Sequence, residues 1–226
     1  MAVTALSLLL PSANFVYQVA RKPTEMFFPV SGVLDKMPAE TWTSYAPLFR
    51  EHSTSTVSPE LLAALAQVEA AGNPLARTYW RWSLSWDPLS IYKPASSAVG
   101  MYQMTDAAFS DAREACVHDH VVVANCWFTG LYTRVLPSHA IELTAVSLDR
   151  QATAILRKYP GAALTARQRQ DLAALIHLCG GRVARAYARS GFQLPTGQRC
   201  GDHSADQYLA SVDALTRKFR RLAANE

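Results

Sequence analysis

The sequence predicts a mainly α protein. Apolar residues recur at helical spacing, as at Leu62, Leu65 and Ala66. Helix-start and helix-stop residues bracket such runs: Ser58-Pro59-Glu60 opens one, and Gly72 followed by Asn73-Pro74 closes it. The alternation of a half-buried strand is nearly missing, with one short run at 121–123.

Taken in order, the elements divide the chain into an arm, 1–57, and a helical domain, 58–226. The arm begins with an apolar stretch at 2–10. The following Pro11-Ser12-Ala13 resembles the end of a signal peptide, although no Lys or Arg precedes the run. A truncated signal at 1–13 is therefore expected, with an ordered apolar arm as the alternative. Residues 14–57 read as irregular and aromatic-rich, with one helix near 39–52. The Ser58 helix then runs to Gly72. Residues 73–95 hold Pro74, Pro88 and Pro94 and read as a long loop rich in aromatics. Further helices are expected near 105–116, 127–158 (with Pro137 near a break or kink), 166–178, 182–190 and 204–222.

Composition narrows the function. Of the 226 residues 50% are hydrophobic and 18% charged, which excludes a disordered chain. The net charge of +4 comes from scattered basic residues, which gives a nucleic-acid partner little support. Arg217, Lys218, Arg220 and Arg221 form the one basic cluster and read as a solvated helix face. Four cysteines without a Cys-x-x-Cys pair suit the disulfides Cys116–Cys126 and Cys179–Cys200, one of three pairings, with four reduced thiols as the alternative. Disulfides would put the chain outside the reducing cytosol, in a periplasm or similar compartment. His118-Asp119-His120 reads as a solvated turn, His139 and His203 as structural, and no metal site or cofactor is assigned.

Glu69 is the sharpest chemical signal. It continues the Leu62, Leu65, Ala66 face and lies in the last turn of its helix. Burial and the negative end of the helix dipole both disfavour a carboxylate, so its pKa is expected to rise. A carboxyl protonated near neutral pH suits a glycosidase general acid.

Glu69 with Asn73-Pro74, followed about 30 residues later by Gly100-Met101-Tyr102-Gln103-Met104, resembles the soluble-type lytic transglycosylases. Residues 174–183 look like a third family motif. The Ser that follows the family Glu is Ala70 here. The Tyr that holds that Glu is not obvious, and His177 or Ile176 stands near its place. The resemblance implies a goose-type lysozyme-like fold. It implies Glu69 as the catalytic acid, with Ser97, Gly100, Met101, Tyr102, Gln103 and His177 at the substrate. Gly100 would let backbone approach a sugar, Gln103 would bind an acetamido group, and Tyr102 is expected to be the cleft aromatic.

The implied reaction is cleavage of the N-acetylmuramic acid–N-acetylglucosamine bond of peptidoglycan with closure of a 1,6-anhydro ring, for which one carboxyl suffices. A muramidase on the same fold is the first rival, and it would need a second acid. Asp87 in the aromatic loop is the leading candidate for that acid, with Asp106 next. A catalytically weak wall-binding or scaffold protein is the second rival. The aromatic loop, with Trp80, Trp82, Trp86 and Tyr92, serves equally as a sugar-stacking surface or a satellite core. The glycan strand is the expected partner. A membrane or secretion apparatus, and an inhibitor protein, are partners that the sequence leaves open.

Overall fold

The structure is a computed structural model that describes residues 2–27, 31–159 and 164–226, with the side chains of 2–10 and 31 left aside. It is mainly helical, as expected. Among the described residues stand seven α-helices and three two-stranded hairpins. The helices are α1 (Ala2–Arg21), α2 (Pro38–Glu51), α3 (Pro59–Ala70), α4 (Asp106–Ala112), α5 (Pro137–Leu156), α6 (Ala166–Arg189) and α7 (Ala205–Ala223). The hairpins pair β1 (Trp80–Trp82) with β2 (Tyr92–Pro94), β3 (Ala115–His118) with β4 (Val121–Ala124), and β5 (Arg199–Cys200) with β6 (His203–Ser204).

Helix α3 sits at the centre, packed against α2, α5 and α7. Its sequence explains this. Residues Leu61 to Ala66 are all buried, and the alanines let neighbouring helices approach closely. Phe49 of α2, Ile141 and Leu148 of α5, Leu172 and Leu175 of α6 and Phe219 of α7 complete the same core. Ser58 caps α3 by accepting the Leu61 N–H at 3.2 Å, and Pro59 opens it.

The C-terminal end of α3 is clamped. Ala71 (φ 48°) and Gly72 (φ 65°) turn left-handed, and the Gly72 N–H reaches the Ala66 carbonyl at 3.0 Å. Thr41 of α2 donates to Gln67 Oε1 at 2.7 Å, and Gln67 Nε2 donates to the Lys36 carbonyl at 2.9 Å. Asn73 Nδ2 donates to Asp35 at 2.7 Å, while Asn73 Oδ1 accepts from the Leu75 N–H at 2.9 Å. The Asn-Pro step therefore anchors the helix end.

Four expectations need correction. The arm is not irregular from residue 14: α1 carries Pro11 within it, and the signal-like run up to residue 13 is part of this helix, with Met1 outside the described residues. Asn14 donates to the Tyr92 carbonyl and Gln18 to the Leu89 carbonyl, each at 2.6 Å, so α1 docks on the aromatic loop. That loop contains the β1–β2 hairpin. The helix after Thr105 is short, because the chain turns into the β3–β4 hairpin, tied by the Cys116–Cys126 disulfide. Residues 127–136 hold no α-helix, only a short 3-10 turn at Thr129–Leu131; Pro137 instead occupies the first turn of α5, where its missing N–H costs nothing.

The second disulfide, Cys179–Cys200, joins α6 to β5 and is likewise present. Within α6, Gly180 (φ 73°, ψ 172°) breaks the helix where the sequence placed a boundary. No helix among the described residues is long and apolar enough to cross a membrane.

Candidate active site

Helix α3 delivers Glu69 to the rim of the core, with 18% of its side chain exposed. Two other helices supply its partners. Tyr208 of α7 donates its hydroxyl to Glu69 Oε1 at 2.5 Å. His177 of α6, three residues before the break at Gly180, brings Nε2 within 3.5 Å of the same oxygen. Both approach Oε1, so Oε2 has no protein partner among the described residues. Arg77 pairs with Glu25 instead, at 3.3 Å.

The electrostatics reverse the expected direction. Burial pushes the Glu69 carboxyl up, but the hydrogen bond and charge of His177 pull it down, helped by the Tyr208 hydroxyl and the charge of His203. The net shift is below the ordinary carboxyl value of 4.5. Burial and the Glu69 charge push Tyr208 well above the ordinary phenol value of 10.0, which keeps its proton available for donation. The His203 contribution is the smallest of those acting on Glu69.

The 97–103 segment is placed differently from its expected role. Tyr102 is 1% exposed and belongs to the core, its hydroxyl donating to the Leu62 carbonyl at 3.1 Å. It is therefore not a cleft aromatic; its ring meets His177 edge-on at 6.4 Å between centroids. Met101 is fully buried as well. Gly100 (φ 79°) faces protein, not open cleft: a Cβ there would fall 2.2 Å from the Arg134 carbonyl oxygen. Gln103 spends its Nε2 on the carbonyls of Gly100 (2.9 Å) and Ala76 (3.3 Å), which leaves only its acceptor for a ligand. Ser97 Oγ accepts the Asp106 N–H at 3.2 Å, and its carbonyl accepts from Arg134 at 2.9 Å. The motif thus acts mainly by packing under α3. Only His177 among its expected substrate residues touches Glu69.

Neither candidate for a second carboxyl joins this group. Asp87 is exposed and caps its own turn, accepting from the Leu89 N–H at 3.0 Å and from Ser90 Oγ at 2.7 Å. Those bonds hold its carboxyl below the ordinary range. Asp106 pairs with Arg134 at 2.7 Å. At the surface, His118 meets Asp119 at 3.0 Å, His120 binds the Ser53 carbonyl at 2.9 Å, and His139 stacks on Tyr132 at 4.2 Å. Among the described residues, no three His, Cys, Asp or Glu side chains gather around a point that would hold a metal ion.

Sequence reasoning missed Tyr208. Its signal was faint but present: in the last helix Tyr208, Val212 and Phe219 share the apolar face with Leu209 and Thr216. Nothing in that pattern says which helix the face meets. No family model matches the chain, and no curated protein matches it in sequence.

Proposed function

We propose that the chain is a lytic transglycosylase that cleaves the β-1,4 bond between N-acetylmuramic acid and N-acetylglucosamine in peptidoglycan, outside the cytosol. The single observation that carries this reading is one half-buried carboxyl, Glu69, oriented by a tyrosine hydroxyl and an imidazole with no second acid in contact among the described residues. One carboxyl that serves first as acid and then as base is what this reaction needs, and a lysozyme-like helical fold is the setting the motif resemblance implies.

In the proposed step, protonated Glu69 gives its proton from Oε2 to the glycosidic oxygen, and the C1–O bond breaks. Tyr208, a donor held on Oε1, keeps the proton on the other oxygen. The substrate's own acetamido oxygen stabilises the charge developing at C1. Glu69, now a carboxylate, takes the proton of the C6 hydroxyl as that oxygen closes on C1. His177 and Tyr208 stabilise this carboxylate, so they make the protonated starting form depend on an acidic setting or on a ligand that displaces His177, and they leave Glu69 a weaker base for the second half-step. The two disulfides are compatible with an extracytoplasmic location.

The experiment is mass spectrometry of the products released from purified peptidoglycan, with Glu69→Gln as control. Anhydro-muropeptides from the wild type alone are expected. Reducing-end products would move the reading to hydrolysis, and equal turnover by Glu69→Gln would remove Glu69 from it.

A further inference from the structure

A second site lies away from Glu69, between α1 and the β1–β2 hairpin. Trp80 and Trp82 alternate along β1, and Trp82 pairs with Tyr92 across the hairpin, so the three rings share one face. They meet in series as tilted pairs, with Trp80–Tyr92 centroids 5.1 Å apart and Trp82–Tyr92 centroids 4.7 Å apart. Phe15 of α1 continues the series at 5.9 Å from Trp80. Between helix and hairpin is a cavity of about 570 Å³, walled by these four rings with Tyr79 and Asn14.

The aromatic surface is not consumed by the protein. Trp82 is 76% exposed and Tyr79 is 68% exposed, while Trp80 is pinned by donating its indole N–H to Glu25 at 2.7 Å. The rigid base and open outer rings make a platform and not a satellite core. A second, independent observation concerns Asn14, which is 6% exposed. Its Nδ2 donates to the Tyr92 carbonyl at 2.6 Å, which fixes which end of the amide is oxygen. Its Oδ1 is buried and accepts no hydrogen bond from the described residues. An unmet buried acceptor in a cavity wall calls for a donor from a ligand. Arg77, also in the wall, is paired with Glu25, so the wall offers no strong net charge.

We propose that this cavity is a second carbohydrate-binding site, taking a neutral N-acetylhexosamine unit. The apolar face of the pyranose lies on Trp82 and Tyr92, and a hydroxyl or amide N–H donates to Asn14 Oδ1. An acyl chain would fill the same apolar walls but leave the Asn14 acceptor unmet. The identification of the glycan as peptidoglycan rests on the proposed function; the sugar site itself rests on the rings and on Asn14.

The test is titration of the whole chain with N-acetylglucosamine tetramer, followed by calorimetry and by the indole N–H resonances in NMR spectra. Wild type is compared with Trp82→Ala and Tyr79→Ala; both side chains are largely exposed, so their loss leaves the core intact. Binding that shifts the Trp82 indole resonance and weakens about tenfold in Trp82→Ala is expected. Unchanged affinity in both variants overturns the proposal, as does the lack of tetramer binding by wild type. Binding to phosphatidylglycerol vesicles without tetramer binding assigns the cavity to lipid and overturns it too. Tetramer binding that depends on Trp82, without anhydro products from peptidoglycan, keeps this site and removes the transglycosylase reading; anhydro products with unchanged affinity in both variants do the reverse.

Discussion

Glu69 is a contest between two effects. Burial favours its neutral form, and three neighbours from α6, the β5–β6 hairpin and α7 favour its charged form and win. Replacing His177 by Asn removes the larger of the opposing influences, so the Glu69 pKa is expected to rise. The alkaline limb of a turnover–pH profile then moves to higher pH, and an unmoved limb would separate His177 from the chemistry. Tyr208→Phe shifts the limb in the same direction. The linkage has a definite sign. Because the folded-state value lies below 4.5, Glu69 stabilises the fold above that pH and the contribution is lost as the pH falls through the folded value. Urea unfolding between pH 3 and 6 is expected to show this acid-side loss in wild type, and less of it in Glu69→Gln. Glu69 itself was legible in the sequence, since its helix face and position are local facts. Its direction of titration was not, because His177 and Tyr208 stand 108 and 139 residues away.

At the scale of elements, the end of α3 depends on two glycines that bear no side chain for steric reasons. A Cβ at Gly72 would fall 2.4 Å from Thr41 Oγ1, at a φ of 65°. Thr41 can rotate, so Gly72→Ala is expected to cost about 1–3 kcal/mol in denaturant unfolding. At Gly100 the obstacle is the backbone oxygen of Arg134 at 2.2 Å, which has no rotamer to change. Gly100→Ala is therefore expected to destabilise more than Gly72→Ala, measured in the same urea series. The reverse order would mean that the Arg134 segment yields more easily than α2. The Ser58 cap and the Gly72 stop were readable because capping is a contact within a few residues. The lengths of α4 and α5 were not. Ala115, Cys116 and Val117 suit either a helix or a strand, and pairing of 115–118 with 121–124 decides for strand.

For the whole molecule, Cys116–Cys126 is a local tie at the β3–β4 hairpin, whereas Cys179–Cys200 joins two elements, α6 and β5. Cys179–Cys200 closes a separation of 21 residues and fastens the broken part of α6 two positions after His177. Reduction of this bridge is expected to lower stability by about 2–4 kcal/mol, and to loosen His177 at Glu69. Thermal melts of Cys179→Ser/Cys200→Ser, paired with the pH profile, would show both effects. The denatured, unreduced protein is expected to present no reactive thiol, and four reactive thiols would remove the argument for an oxidising compartment. Helix α1 is fastened to the aromatic loop by Asn14 and Gln18, and Lys22 just beyond the helix donates to the Ala98 carbonyl at 2.8 Å. The arm and the aromatic loop are thus one structural unit, which the sequence had divided.

The sequence by itself determined the helical class, the position and capping of α3, the break at Gly180, and Glu69 at the edge of an apolar face; the cysteine pairing that the structure shows was one of three it allowed. Each is set by spacing within one or two turns, or by a small number of alternatives. Tertiary structure alone decided that Tyr102 is core, that Gly100 and Gln103 serve the turn before any ligand, and that Asp87 stands apart. It also decided that Tyr208 and His177 converge on one carboxylate oxygen. These depend on which helix faces meet, and an apolar face carries no address for its partner: burial is proportional to area and is indifferent to sequence position.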